Sequence, residues 1–424
     1  MVEHITLHES ENEFVGKKKN LVIPHVALTM DDFVVHYIDK SDYSNRYLSF
    51  VAKEDGTFKF SGNSINYSLD DGSTWIELAS ETNTPTVNNG DRIMWKGNLT
   101  PPPSSGIGDI DGIGIFSSSG KFDVEGNVMS LLYGDGFEGK VTLSDDYEFS
   151  MLFKGCTHLE NARRMSLPAT TLTKCCYRSM FEGCTSLTTV PKLQATTLSI
   201  ACYTYMFKGC TSLTKAPNLL AETLTSECYL GMFSGCTSLT EAPQMQGKIL
   251  DWRSYGSMLA GCTSLTEAPE LPATTLYSNC YQSMFKGCTS LTEAPELPAT
   301  TLENYCYEFM FEDCTSLTEA PELPATTLKN YCYQSMFRGC TSLTEAPELK
   351  ATTLTQHCYN NMFEGCTSLN KITCLATDIS AIYCTQEWVN GVAANGTFVK
   401  NASMSSWTSG VDGIPSGWTV TNAI

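Results

Sequence analysis

Residues 288–312 read CTSLTEAPELPATTLENYCYEFMFE, and Asp313 closes the unit before Cys314 opens the next copy. Cys184, Cys210, Cys236, Cys262, Cys288, Cys314, Cys340 and Cys366 stand 26 residues apart, and Cys156 stands 28 before the first. The two extra residues fall between Glu160 and Leu172, where ENARRMSLPATTL is longer than the later TEAPELPATTL. Within the specimen unit Leu291, Ala294, Leu297, Leu302, Cys306, Met310 and Phe311 recur in register and form the candidate inward ladder. A single unit cannot bury residues at such offsets, whereas stacked copies make one continuous core. The expected fold is therefore mixed, a leucine-rich-repeat solenoid of 26-residue coils with short parallel strands, rising ~4.8 Å per coil. The strand is expected from Leu291 to Leu297, bent at Pro295, and the return from the Ala-Thr-Thr-Leu turn through Cys-Tyr-x-x-Met-Phe as a helical or 3₁₀ turn.

The order of Leu-Pro turn, aromatic-Phe-x-x-Cys and Ser-Leu resembles the BspA-like leucine-rich repeats of gut Bacteroidetes surface proteins and related phage virion proteins. The resemblance spans about Leu143 to Cys384. This chain's unit is longer than the commonest one and carries Ala-Pro where the family has isoleucine. The resemblance implies extracellular recognition or adhesion and brings no catalytic residue with it.

Four segments follow. Residues 1–45 have mixed polarity and read as a leader or attachment segment. Residues 46–125 alternate like half-buried strands, as in Thr57-Phe58-Lys59-Phe60, with turns at Asp55-Gly56, Asp71-Gly72 and Asn89-Gly90. They predict an all-β, sandwich-like N-terminal domain with Trp75 and Trp95 available to its core. Within it, Pro101 to Gly106 reads as a linker, and Gly106 to Gly112 as an ordinary loop that lacks the acidic ligand of a calcium site. Residues 126–384 make the solenoid with its caps. Residues 385–424, with Trp388, Trp407 and Trp418, form a C-terminal cap or a small β unit.

The charge is lopsided: 27 basic against 46 acidic residues give a net −19. Nucleic acid is therefore a poor partner. No apolar run approaches the ~20 residues of a membrane span, so no membrane insertion is expected. The first 19 residues lack a secretory signal pattern. The 19 cysteines are mostly repeat positions and are expected as reduced core thiols, since Ser254 replaces one without disturbing the period. Cys-x-x-Cys is absent and the six histidines are scattered, so neither a metal nor another cofactor is expected. The hydrolase, zinc-protease and nucleotide-binding motifs are also missing, and the chain reads as a non-enzyme.

Two surface patterns remain as candidate binding residues. Glu267 and Glu270 recur as Glu293 and Glu296, Glu319 and Glu322, and Glu345 and Glu348, two acidic files over four coils. Earlier coils carry Thr189 and Lys192, Lys215 and Asn218, then Glu241 and Gln244. Recent duplication of repeats, which copies Glu with everything else, is the plainer explanation of the files. The slots before the second repeat cysteine vary from coil to coil, including Tyr305, Tyr331 and His357, and Phe309 lies three residues beyond Cys306. Exposed aromatics suit contact with protein or sugar. The expected function is recognition or adhesion at a cell-surface protein or glycan, most concretely as a phage fibre or decoration component on the virion surface. In that role the N-terminal segment joins other virion or surface proteins, and the chain can form oligomers. A bacterial cell-surface adhesin and a carbohydrate-active enzyme are the rivals.

Overall fold

The computed structural model describes residues 43–100, 114–405, 407–423. The leader's first 42 residues, the Pro101–Gly106 linker and the Gly106–Gly112 loop lie outside the described residues.

Eleven strands occur among the described residues: β1 (Leu48–Ala52), β2 (Phe58–Phe60), β3 (Ile65–Ser68), β4 (Ile76–Leu78), β5 (Arg92–Lys96), β6 (Phe116–Ser118), β7 (Phe122–Asn127), β8 (Leu159–Ser166), β9 (Lys371–Cys374), β10 (Thr397–Lys400) and β11 (Thr419–Asn422). One four-residue helix, α1 (Ser130–Tyr133), follows β7. A six-stranded sheet runs β4-β3-β5-β1-β7-β8, and β2 pairs with β6 apart from it. Alternation puts Phe50, Phe58, Trp95, Phe116 and Phe122 inward, with ring centroids 5.0 to 5.3 Å apart around Phe50. Trp95 is fully buried. Trp75 is only half-buried; its indole meets the Tyr47 ring at 5.0 Å, tilted by 59°, and lies under Lys96.

The β1–β5 and β1–β7 pairings are antiparallel, but β7 pairs with β8 in parallel, so β8 passes the sheet from the aromatic core to the repeats. From there single-residue parallel bridges join one unit to the next, among them Glu267 to Glu293, Glu293 to Glu319, and Glu319 to Glu345. The expected strand in every coil is not formed. Between Ser166 and Lys371 the described residues contain no strand at all. The cause is the repeated proline, which has no N–H for the ladder. In the first unit Arg163 stands at that place and β8 forms; in the last, Thr373 stands there and β9 forms.

The return segment is not a helical turn either. Alternate residues adopt left-handed backbone, as at Cys175, Tyr177 and Ser179, with φ of 59°, 59° and 53°. The intervening N–H groups bond locally, Met180 to the Tyr177 carbonyl at 3.3 Å. The left-handed residues and the following phenylalanine bond to the neighbouring coil, Phe181 to the Met206 carbonyl at 2.8 Å and Phe207 to that of Met232 at 2.9 Å. Peptide dipoles thus align head to tail from coil to coil, as they do along a helix.

The interior is built of files. Tyr255, Tyr281, Tyr307 and Tyr333 stack with centroids 5.8 to 5.9 Å apart, and Phe285, Phe311 and Phe337 at 5.5 to 5.6 Å. Leu291, Leu297, Leu302, Cys306, Met310 and Phe311 are buried as expected, Ala294 only partly, and the tyrosine after each second cysteine joins them. All nineteen cysteines are unpaired and buried. Those of the first file donate backwards, Cys288 Sγ to the Leu259 carbonyl at 3.2 Å and Cys314 Sγ to that of Phe285 at 3.1 Å, which satisfies one carbonyl per coil.

The tail closes this core. β9, β10 and β11 form a parallel sheet, Trp388 stacks between Tyr359 and Trp407, and its Nε1 donates to the Gly413 carbonyl at 2.8 Å. The Glu387 N–H donates to Asp412 Oδ1 at 2.6 Å, so a carboxylate caps the positive end of the aligned peptides.

Candidate recognition surface

The bridge residue of each unit is held in place by its backbone pairing and points its side chain to solvent. Read along the stack, this file is Asn161, Thr189, Lys215, Glu241, Glu267, Glu293, Glu319, Glu345, Lys371. Five glutamates hold this place at the 26-residue step, one more than the four expected, because Glu241 shares it although Gln244 departs from the second file. Both ends are neutralised: Lys215 Nζ lies 2.5 Å from Glu241, and Lys371 pairs with Glu345. Glu267, Glu293 and Glu319 are exposed and have no cationic partner among the described residues. Like charges directly opposite on neighbouring chains cost stability, and solvent reduces that cost.

The second acidic file, Glu270, Glu296, Glu322 and Glu348, is also exposed, but no bridge joins its members. Its only ion pair among the described residues sets Lys350 Nζ 3.8 Å from Glu322.

The variable slots carry an aromatic file. Tyr305 and Tyr331 stack at 4.6 Å, Tyr331 and His357 at 4.6 Å, and His357 meets Tyr383 at 5.1 Å with the rings tilted by 45°. All four residues have left-handed backbone, with φ between 53° and 61°, which turns each ring out of the core and onto its neighbour. Tyr383 is 57% exposed and the adjacent Ile382 63%. His357 belongs to the variable slots already singled out in the sequence, but Tyr383 was not among the expected binding residues; the 26-residue step from His357 was the available signal. Burial lowers the His357 pKa, and its Nδ1 is buried without a hydrogen-bond partner. Phe309 stands apart from these rings: Lys286 Nζ lies 5.3 Å over it and also 2.5 Å from Glu312.

At the first coil, Glu148 occupies the place of a repeat cysteine. It is 3% exposed, its Oε2 has no partner, and burial pushes its carboxyl up to about 7. Among the described residues no group of three or more His, Cys, Asp or Glu side chains is placed to hold a metal ion, and no helix is long and apolar enough to cross a membrane.

Units of 26 residues, lined inside by leucine and aromatic files and varied outside, define a leucine-rich-repeat protein. The chain belongs to the BspA-type leucine-rich-repeat family, whose model matches residues 149–266 and 258–383 in six copies. No match was found among curated protein sequences. The crystal structure of a leucine-rich repeat protein from Bacteroides ovatus ATCC 8483 aligns with 65% of this chain and 80% of its own, at 18% identity and a TM-score of 0.26.

Proposed function

We propose that this chain is a non-enzymatic recognition or adhesion protein whose repeats form a solenoid and whose acidic files receive a cationic partner. The observation that carries the reading is the run Glu267, Glu293, Glu319: exposed carboxylates in register, without a cationic partner among the described residues, between two lysine-paired ends. Such a strip draws positively charged ligands and steers them at low ionic strength. The Tyr305–Tyr331–His357–Tyr383 file offers a second contact to protein or sugar.

The site of display is a virion surface, as a fibre or decoration component. Nineteen buried, unpaired thiols suit a chain that folds in a reducing compartment before it is built into a particle. Detection of the chain by mass spectrometry in purified virions supports this placing. Its recovery on bacterial cells and absence from particles would make it a cell-surface adhesin.

The binding test uses a lysine decapeptide as the probe. Binding is expected to weaken about tenfold or more when Glu293, Glu296, Glu319 and Glu322 are all changed to glutamine, with a shallower salt dependence. Glutamine at four exposed acids elsewhere, Glu54, Glu77, Glu138 and Glu222, makes the same charge change and is expected to do much less. Equal losses in the two variants would reduce the files to a share of the net charge. Cleavage of a surface glycan by the purified chain would replace the reading with a carbohydrate-active enzyme.

A further inference from the structure

The six-stranded sheet has one edge at β4 and the C-terminal three-stranded sheet has one at β11, and these two edge strands are built differently. β4 carries Glu77 and lies near Asp70, Asp71 and Glu81 in sequence. β11 is Thr419-Val420-Thr421-Asn422, with no charge, no proline and all four residues exposed. Sheet edges that must stay single are normally blocked by charge, proline or a bulge. β11 has none of these.

Its backbone polarity is specific. The Thr419 N–H donates to the Gly396 carbonyl at 2.9 Å and the Ala423 N–H to that of Lys400 at 2.8 Å. Residues 419, 421 and 423 therefore face β10, and alternation turns the N–H and carbonyl groups of Val420 and Asn422 outward. No described residue pairs with them.

We propose that β11 is a self-association edge, on which a second copy of this chain pairs its own β11 antiparallel about a two-fold axis. Val420 of one copy then lies opposite Asn422 of the other in a hydrogen-bonded pair, and Thr421 faces its own counterpart across the axis. Charge selects this occupant. Two chains of net charge −19 repel one another, but residues 385–424 hold one lysine against two acids, a net −1, so this end is nearly neutral. The alternative of β11 on the β4 edge of the next copy would bring the acidic flank of β4 into the contact and would not close.

The test is sedimentation of the full chain. The 46.5 kDa species is expected to double in mass as concentration rises through about 1 to 100 µM, as a small interface requires. Thr421 is exposed and sits at the axis, so T421K or T421E alone places like charges opposite each other and is expected to leave only the monomer. An equimolar mixture of the two variants is expected to restore the dimer. A wild-type chain that stays monomeric, variants that still dimerise, or a mixture that stays monomeric would overturn the proposal. Species larger than the dimer would overturn it in favour of head-to-tail pairing with β4.

Discussion

Tyr229 and Tyr255 stack with centroids 5.9 Å apart and planes 8° from parallel, yet their backbone N–H groups point to opposite ends of the stack. The Tyr229 N–H donates back to the Cys202 carbonyl at 3.3 Å, whereas that of Tyr255 donates forward to the Cys280 carbonyl at 3.0 Å. Tyr177, Tyr203 and Tyr229 share the first arrangement and a positive φ; from Tyr255 onward the second prevails. Since each trans peptide directs its carbonyl opposite to its N–H, the carbonyls of Cys228 and Ser254 point at each other with no donor between them.

That junction lacks a hydrogen bond that the other interfaces keep, so it is expected to be the weakest in the stack. Native-state hydrogen exchange in mild denaturant is expected to show different opening free energies for amides before Tyr229 and after Tyr255, by about 1 to 3 kcal/mol. A uniform value across the junction would show that the reversed peptide costs nothing.

The Tyr281 hydroxyl is buried without a hydrogen-bond partner, although its ring fills the file between Tyr255 and Tyr307. Tyr281→Phe is expected to leave stability unchanged or raised, while Tyr281→Ala costs about 3 to 5 kcal/mol in denaturant unfolding. A clear loss in the phenylalanine variant would mean that the hydroxyl is paired.

Glu148 supplies a pH dependence. Its folded pKa, about 7, lies above the ordinary 4.5, so the native state holds the proton more tightly than the unfolded chain does. Stability from this group is therefore present below pH 4.5 and is lost as pH rises through 7. Glu148→Gln is expected to stabilise by about 1 to 2 kcal/mol at pH 8 and by nothing near pH 4. Melting curves of both proteins at the two pH values check this, and an equal gain at each pH would count against it.

The thiols are shielded twice, by enclosure and by burial that pushes Cys306 and Cys288 up to about 12. The folded chain is expected to resist alkylation at pH 8, and unfolding without reductant is expected to release close to nineteen reactive thiols. Peptides bridged between adjacent coils would instead place folding in an oxidising compartment.

The sequence by itself determined the period, the inward leucines, cysteines and phenylalanines, and the register of the acidic files. Each follows from identity at a fixed 26-residue step, and stacking equivalent positions is the one way such units share a core. It also held the cause of the missing strands in Pro191 through Pro347, although that became readable only beside β8 and β9, where the proline is absent. The tertiary structure alone decided what those positions do. The alternating left-handed return has no sequence signature, because tyrosine, serine, cysteine and asparagine all adopt it when the neighbouring coil supplies the hydrogen bonds. For the same reason the joining of His357 and Tyr383 to Tyr331, the pairing of Lys215 and Lys371 at the ends of the glutamate file, and the peptide reversal between Tyr229 and Tyr255 were invisible in one dimension. Each is a contact between residues about 26 positions apart, set by how one coil rests on the next.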